Sequence, residues 1–120
     1  MIHHVQLACP AGSEEASRAY YVGLLGLAEL AKPPVLATRG GCWFAGHGIE
    51  LHLGVETPFA PARKAHPALG RPDLDTLAAR LTAAGYPVIW GTDEVPGMVR
   101  FHTEDCHGNR IEFVEADPRQ

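Results

Sequence analysis

The stretch Ile111-Glu112-Phe113-Val114 sets a carboxylate between two large apolar side chains, and Ile49-Glu50-Leu51-His52 does the same 62 residues earlier. Successive side chains of a strand point to opposite faces. Each stretch therefore divides into an apolar face (Ile111 and Phe113; Ile49, Leu51 and Leu53) and a polar one (Glu112; Glu50 and His52). The same shift of 62, applied without a gap, lays His4 on His66, Leu7 on Leu69, Pro10 on Pro72, Arg18 on Arg80, Gly23 on Gly85 and Gly46 on Gly108. Small residues coincide by chance. Two His and two Glu recurring in one register beside the same apolar neighbours point to an internal duplication.

Each half then reads as β-α-β-β-β. The first opens with an alternating strand, His3–Ala8, followed by a Pro-Ala-Gly turn. Ser13 is placed to cap a helix with Glu14 and Glu15 in its first turn, where the dipole favours anions, and Gly23 to end it. Strands are expected near Leu36–Arg39 (or starting earlier, around Ala28), Gly41–Phe44 and Ile49–Leu53. In the second half a strand at His66–Leu69 precedes Asp73 as helix cap. Leu74, Leu77, Ala78 and Leu81 form an apolar helical stripe that ends at Gly85. Strands near Val88–Trp90, Val99–Thr103 and Arg110–Glu115 complete the unit. Gly54–Ala65, with two prolines and no periodicity, reads as the linker between a module of about 1–56 and one of about 63–116.

Composition bounds the function. A chain of 120 residues, 46% hydrophobic and 20% charged, builds one core without staples. A formal charge of −4 argues against a dedicated nucleic-acid or anionic-membrane binder, both of which need a basic face. No apolar run approaches the twenty or so residues of a membrane span, and the first residues do not read as a signal peptide. Cys9, Cys42 and Cys106, an odd and widely spaced set, fit a reducing cytoplasm rather than a disulfide framework or zinc knuckle. Seven histidines are the feature that asks for chemistry.

The polar strand faces carry that chemistry. His4 and Gln6 in the first strand, Glu50 and His52, Arg100 and His102, and Glu112 all fall opposite the apolar faces that the helices cover. A one-layer sheet with its polar face in water satisfies the alternation equally well. Single His and Glu residues recurring in both halves instead favour a curved sheet around a polar cleft, two imidazoles and two carboxylates converging as a metal site.

At these residues the chain resembles the vicinal oxygen chelate superfamily, which includes glyoxalase I, extradiol dioxygenases, and fosfomycin and bleomycin resistance proteins. The resemblance rests on His4-Val5-Gln6-Leu7, Tyr20-Tyr21-Val22-Gly23-Leu24-Leu25-Gly26-Leu27, Gly48-Ile49-Glu50-Leu51 and Asp105-Cys106-His107-Gly108-Asn109-Arg110-Ile111-Glu112-Phe113. It implies an α+β fold: two tandem βαβββ modules forming a curved mixed sheet around a polar cleft, with helices on the outer face. It places metal ligands at His4, Glu50, His66 and Glu112, suited to Fe, Mn, Ni or Zn. Glu112 or Glu50 would then serve as general base. Only one of His3 and His4 is expected to face the cleft, and the repeat register selects His4. His52 shares Glu50's face and is the alternative ligand. Arg100 and His102 can hold an anionic substrate group, with a salt bridge to a glutamate as the plainer role for Arg100. Trp43 is expected in the core and Phe44 on the cavity wall.

Bacterial glyoxalase I members carry an Arg four residues after the first ligand His and an Asn four after the first ligand Glu, to grip glutathione. Ala8 and Gly54 stand there, so lactoylglutathione is disfavoured as substrate. The resemblance leaves two readings: a metal-dependent isomerase, lyase or dioxygenase acting on a small oxygenated molecule, or a metal-free protein that sequesters a small molecule, as bleomycin resistance proteins do. Small members commonly pair as homodimers, and a site can then draw its ligands from one chain or from two.

Overall fold

The computed structural model describes residues 1–91 and 94–116. In chain order the elements are β1 (Val5–Cys9), α1 (Glu14–Arg18) running into a π-helical segment (Ala19–Leu24), β2 (Ala28–Leu30), the single turn α2 (Pro34–Ala37), β3 (Cys42–Gly46), β4 (Ile49–Val55), β5 (Ala68–Arg71), α3 (Leu74–Ala83), β6 (Ile89–Trp90), β7 (Arg100–Glu104) and β8 (Arg110–Glu115). They form two four-stranded sheets, β1-β4-β3-β2 and β5-β8-β7-β6, of identical strand order. In each sheet the first strand pairs parallel with the last, and the remaining ladders are antiparallel. The fold is thus α+β with a tandem βαβββ plan, and the curved sheet expected from the sequence is two mixed sheets that do not close.

Apolar alternation fixes the buried faces. Leu7 and Cys9 of β1, Phe44 of β3, Leu51 and Leu53 of β4, Phe101 of β7 and Ile111 and Phe113 of β8 join the α3 stripe Leu74, Leu77, Ala78 and Leu81 in one core. The β3–β4 hairpin turns on His47 (φ 53°) and Gly48 (φ 76°), a left-handed pair that matches strand twist in two-residue loops.

Several local expectations are corrected. Leu36–Arg39 does not form a strand: Pro33-Pro34 starts a helical turn instead, and β2 lies at the earlier place, Ala28–Leu30. The first helix widens into a π-turn and passes Gly23, so Gly26 (φ 76°) takes the left-handed stop. Neither predicted cap side chain caps. The Ser13 hydroxyl donates to the Pro10 carbonyl, and the Asp73 carboxylate accepts two hydrogen bonds from Arg71.

The π-turn has a structural consequence. It buries the adjacent Tyr20 and Tyr21, whose hydroxyls donate to the Glu104 carbonyl and to Asp105 Oδ2 at 3.2 and 2.6 Å. Asp105 opens the β7–β8 turn and also accepts the backbone N–H groups of His107 and Asn109. Asn109, fully buried, donates to the Ala8 carbonyl and accepts from the Ala62 N–H. Asp105-Cys106-His107-Gly108-Asn109 is therefore a clasp between the two sheets, with Gly108 (φ 87°) in the left-handed conformation. Arg71, buried, adds a bond to the Leu25 carbonyl at 2.6 Å.

Candidate metal centre

The polar residues predicted on the strand faces collect into two groups. In the second module, one ligand atom each of His66, His102 and Glu112 lie within 4.8 Å of one another. Glu112 is central to β8 and only 6% exposed. His66 precedes β5, and His102 stands directly across the β7–β8 ladder from Glu112. His66 Nε2 and His102 Nε2 approach the same oxygen, Glu112 Oε1, at 3.1 and 3.3 Å. Arg100 takes the other oxygen, Oε2, at 3.2 Å and reaches Glu94 at 3.7 Å. Burial pushes the Glu112 carboxyl up, but the hydrogen bonds from His66 and Arg100 and the neighbouring positive charge outweigh it and hold the group below its ordinary range. Burial, assisted by the charge of Arg110, lowers the His102 imidazole and favours its neutral form.

The tautomer of His66 tests whether a metal suits this group. Its Nδ1 lies 2.8 Å from the Lys64 carbonyl, which can only accept, so Nδ1 carries a proton. In the neutral ring the Nε2 lone pair then faces the Glu112 carboxylate oxygen at 3.1 Å. Two lone pairs at that distance repel unless positive charge lies between them, either a second proton on the ring or a cation. An Nδ1–H bound to a backbone carbonyl is also the usual support of a metal-ligating Nε2. The residues fit a divalent metal.

In the first module the corresponding group is His3, His4 and Glu50, again within 4.8 Å. The sequence leads one to expect only one of the two histidines here. Strand alternation does not govern them because β1 starts at Val5, and their Nδ1 atoms lie 2.9 Å apart. His52 and Glu50 are joined, Nε2 to Oε2, at 2.7 Å, and this bond holds the Glu50 carboxyl below its usual range. His52 is buried between two rings, Trp43 at 4.1 Å and His4 at 4.0 Å, both near parallel. Trp43 and Phe44 exchange their expected places. Phe44 is fully buried against Tyr21, whereas Trp43, in register with His52, occupies the polar face. Sequence alternation separates the two without saying which is which; the parity is set by the pairing of Ala45 with Glu50 and of Trp43 with His52.

Among the described residues no group combines ligands of both modules: His4 and Glu50 lie in one, His66 and Glu112 in the other. Beside the second group opens a cavity of about 600 Å³ whose lining includes His102, Ile89, Arg63 and Arg110, a size suited to a small molecule. A side chain at position 54 would meet the Gln6 amide at 2.6 Å, so the place of the missing asparagine is filled by Gln6.

Comparison with known proteins agrees with this architecture. The family described as Glyoxalase/Bleomycin resistance protein/Dioxygenase superfamily matches residues 1–113. A glyoxalase family protein from Bacillus anthracis is 44% identical, with a TM-score of 0.90 over 98% of this chain and 95% of that one. TnmS3, an antibiotic binding protein from Streptomyces sp. CB03234, is 24% identical with a TM-score of 0.67 over 98% of both chains. A glyoxalase/dioxygenase from Nostoc punctiforme is 23% identical with a TM-score of 0.75, covering 98% of this chain and 91% of that one. These last two share the fold. The curated proteins give no match. With the family matched across nearly all of its length, the chain belongs to the glyoxalase/bleomycin resistance protein/dioxygenase superfamily.

Proposed function

We propose that the protein is a metal-dependent enzyme that binds a small oxygenated substrate through two adjacent oxygens, with His4, Glu50, His66 and Glu112 as metal ligands. The observation that carries this is the convergence of His66 Nε2 and His102 Nε2 on Glu112 Oε1, at 3.1 and 3.3 Å, with His66 Nδ1 held by the Lys64 carbonyl. We further propose a homodimer. The two ligand groups stay separate within one chain, and His3 and His4 are exposed. A second copy would set the first module of one chain against the second module of the other and unite the four ligands.

When bound, the metal supplies Lewis acidity to the substrate oxygens. The chain's own residues do the rest. Arg100 holds Glu112 by its second oxygen and keeps it ionised. His52, fixed by the Trp43 stack, holds Glu50. Glu50 has one side-chain partner where Glu112 has three, so Glu50 is the carboxylate freer to take a proton as general base. The half-buried Arg110 at the cavity supplies positive charge to an anionic substrate group.

Metal content of tag-free protein, with melting temperature before and after chelation, tests this reading. Stoichiometric metal that falls in His66→Ala and Glu112→Ala, with a lower melting temperature after chelation, is the expected result. Protein indifferent to added Fe, Mn, Ni or Zn would overturn it in favour of a metal-free sequestering protein.

A further inference from the structure

The two modules differ at one place that matters for a metal. Opposite Glu112 on the neighbouring strand stands His102, whereas opposite Glu50 stands Ala45. Hairpin length makes the difference. The β3–β4 loop has two residues between paired Gly46 and Ile49, and the β7–β8 turn has five between paired Glu104 and Arg110. The longer turn slides β7 relative to the duplicated register and sets a histidine across from the carboxylate.

We propose that His102 is a third protein ligand, so that the second module of a single chain holds a divalent transition-metal ion through His66 Nε2, His102 Nε2 and Glu112 Oε1. This rests on the metal-dependent reading above and extends it: a ligand is added, and one module becomes sufficient for binding. Ligand atoms about 2.1 Å from a metal, at octahedral or tetrahedral angles, lie about 3.0–3.4 Å from one another. The two edges at Glu112 Oε1, 3.1 and 3.3 Å, fall in that range, and the third lies within 4.8 Å. Arg100 occupies Oε2, which leaves Glu112 to bind through Oε1 alone. The His66 and His102 rings stand edge to face at 5.2 Å, so both converge on that oxygen from different directions. Two imidazoles and one carboxylate leave further coordination positions open, and His102 also borders the 600 Å³ cavity from which a substrate would approach. In the first module, by contrast, the His52 Nε2 is spent on Glu50.

Chelator-stripped full-length protein is titrated with Co(II), following the visible d–d spectrum and calorimetric affinity. The His4→Ala/Glu50→Ala variant is expected to keep one Co(II) per chain. His102→Ala is expected to weaken binding about tenfold or more and to change the spectrum, and in the first-module double variant it should abolish binding. His102→Gln, which retains a donor for Glu112, serves as control, with circular dichroism confirming the fold of each variant. If His102→Gln restores wild-type affinity and spectrum, His102 only orients Glu112 and the inference fails. If the His4→Ala/Glu50→Ala variant loses all Co(II), the second module is insufficient and the inference fails while the shared-site reading stands. Wild-type protein that binds no Co(II) overturns both.

Discussion

Asn109 stands in the β7–β8 turn, yet its side chain acts well beyond that turn. Its amide is fully buried and joins Ala8, Ala62 and Asp105, segments far apart in the chain. Asn109→Ala removes the partners of the half-buried Ala8 carbonyl and Ala62 N–H, each costing about 1 kcal/mol. A loss of at least about 2 kcal/mol is expected in urea unfolding. Next to it, His107 Nε2 lies 2.8 Å from the Ser17 hydroxyl. That hydroxyl spends its own proton on the Ser13 carbonyl, so His107 donates through Nε2–H. Burial holds the His107 imidazole below its usual value, outweighing the pull of Asp105 in the other direction. The unfolded chain therefore takes up the proton first. The His107 contribution is full above the ordinary histidine pKa, about 6.5, and declines as pH falls from there toward the lower folded-state value. Urea midpoints measured across this window should slope downward toward acid in the wild type and less steeply in His107→Gln.

Among the elements, β3 depends on a glycine at its entry. Gly41 has φ 80°, and a Cβ there would lie 2.1 Å from the Leu53 carbonyl oxygen, a backbone atom of β4 that cannot swing aside. Gly12 has a similar φ of 71°, but a Cβ at that position would have nothing within 4 Å. Gly12→Ala should cost only the left-handed penalty, about 1–2 kcal/mol. Gly41→Ala should cost that plus displacement of the ladder, about 3 kcal/mol or more. Comparing the two by denaturant midpoint separates backbone conformation from close approach. If both cost the same, the β3–β4 contact is softer than its geometry states. The π-helical segment was not legible in the sequence. Its Tyr-Tyr pair looks like any aromatic packing, and only partners at residues 104 and 105, met through the tertiary fold, favour the wider turn.

For the whole molecule, the open ends of the sheets and the separated ligand groups lead to an expected dimer. Light scattering behind size exclusion should give twice the 12.9 kDa chain mass. A metal held between copies should raise the melting temperature with metal concentration, as any ligand of the folded state does. A monomer that still binds metal tightly would leave the second-module group as the site and remove the shared one. No helix among the described residues is long and apolar enough to cross a membrane.

The sequence alone determined the repeat, the order of strands around each helix and the apolar faces of β1, β4, β7 and β8. These follow from alternation and helical spacing, which are local properties of the chain. It also singled out His4, Glu50, His66 and Glu112, because rare residue types recurring at one interval need no coordinates to be seen. Tertiary structure decided which of these meet. Strand pairing across the β7–β8 ladder brings His102 to Glu112, and the start of β1 after His4 frees both His3 and His4 from strand alternation. The exchange of Phe44 and Trp43 between core and polar face was decided the same way. Alternation says that two neighbours face opposite ways, but only packing against Tyr21 on one side and His52 on the other says which is which.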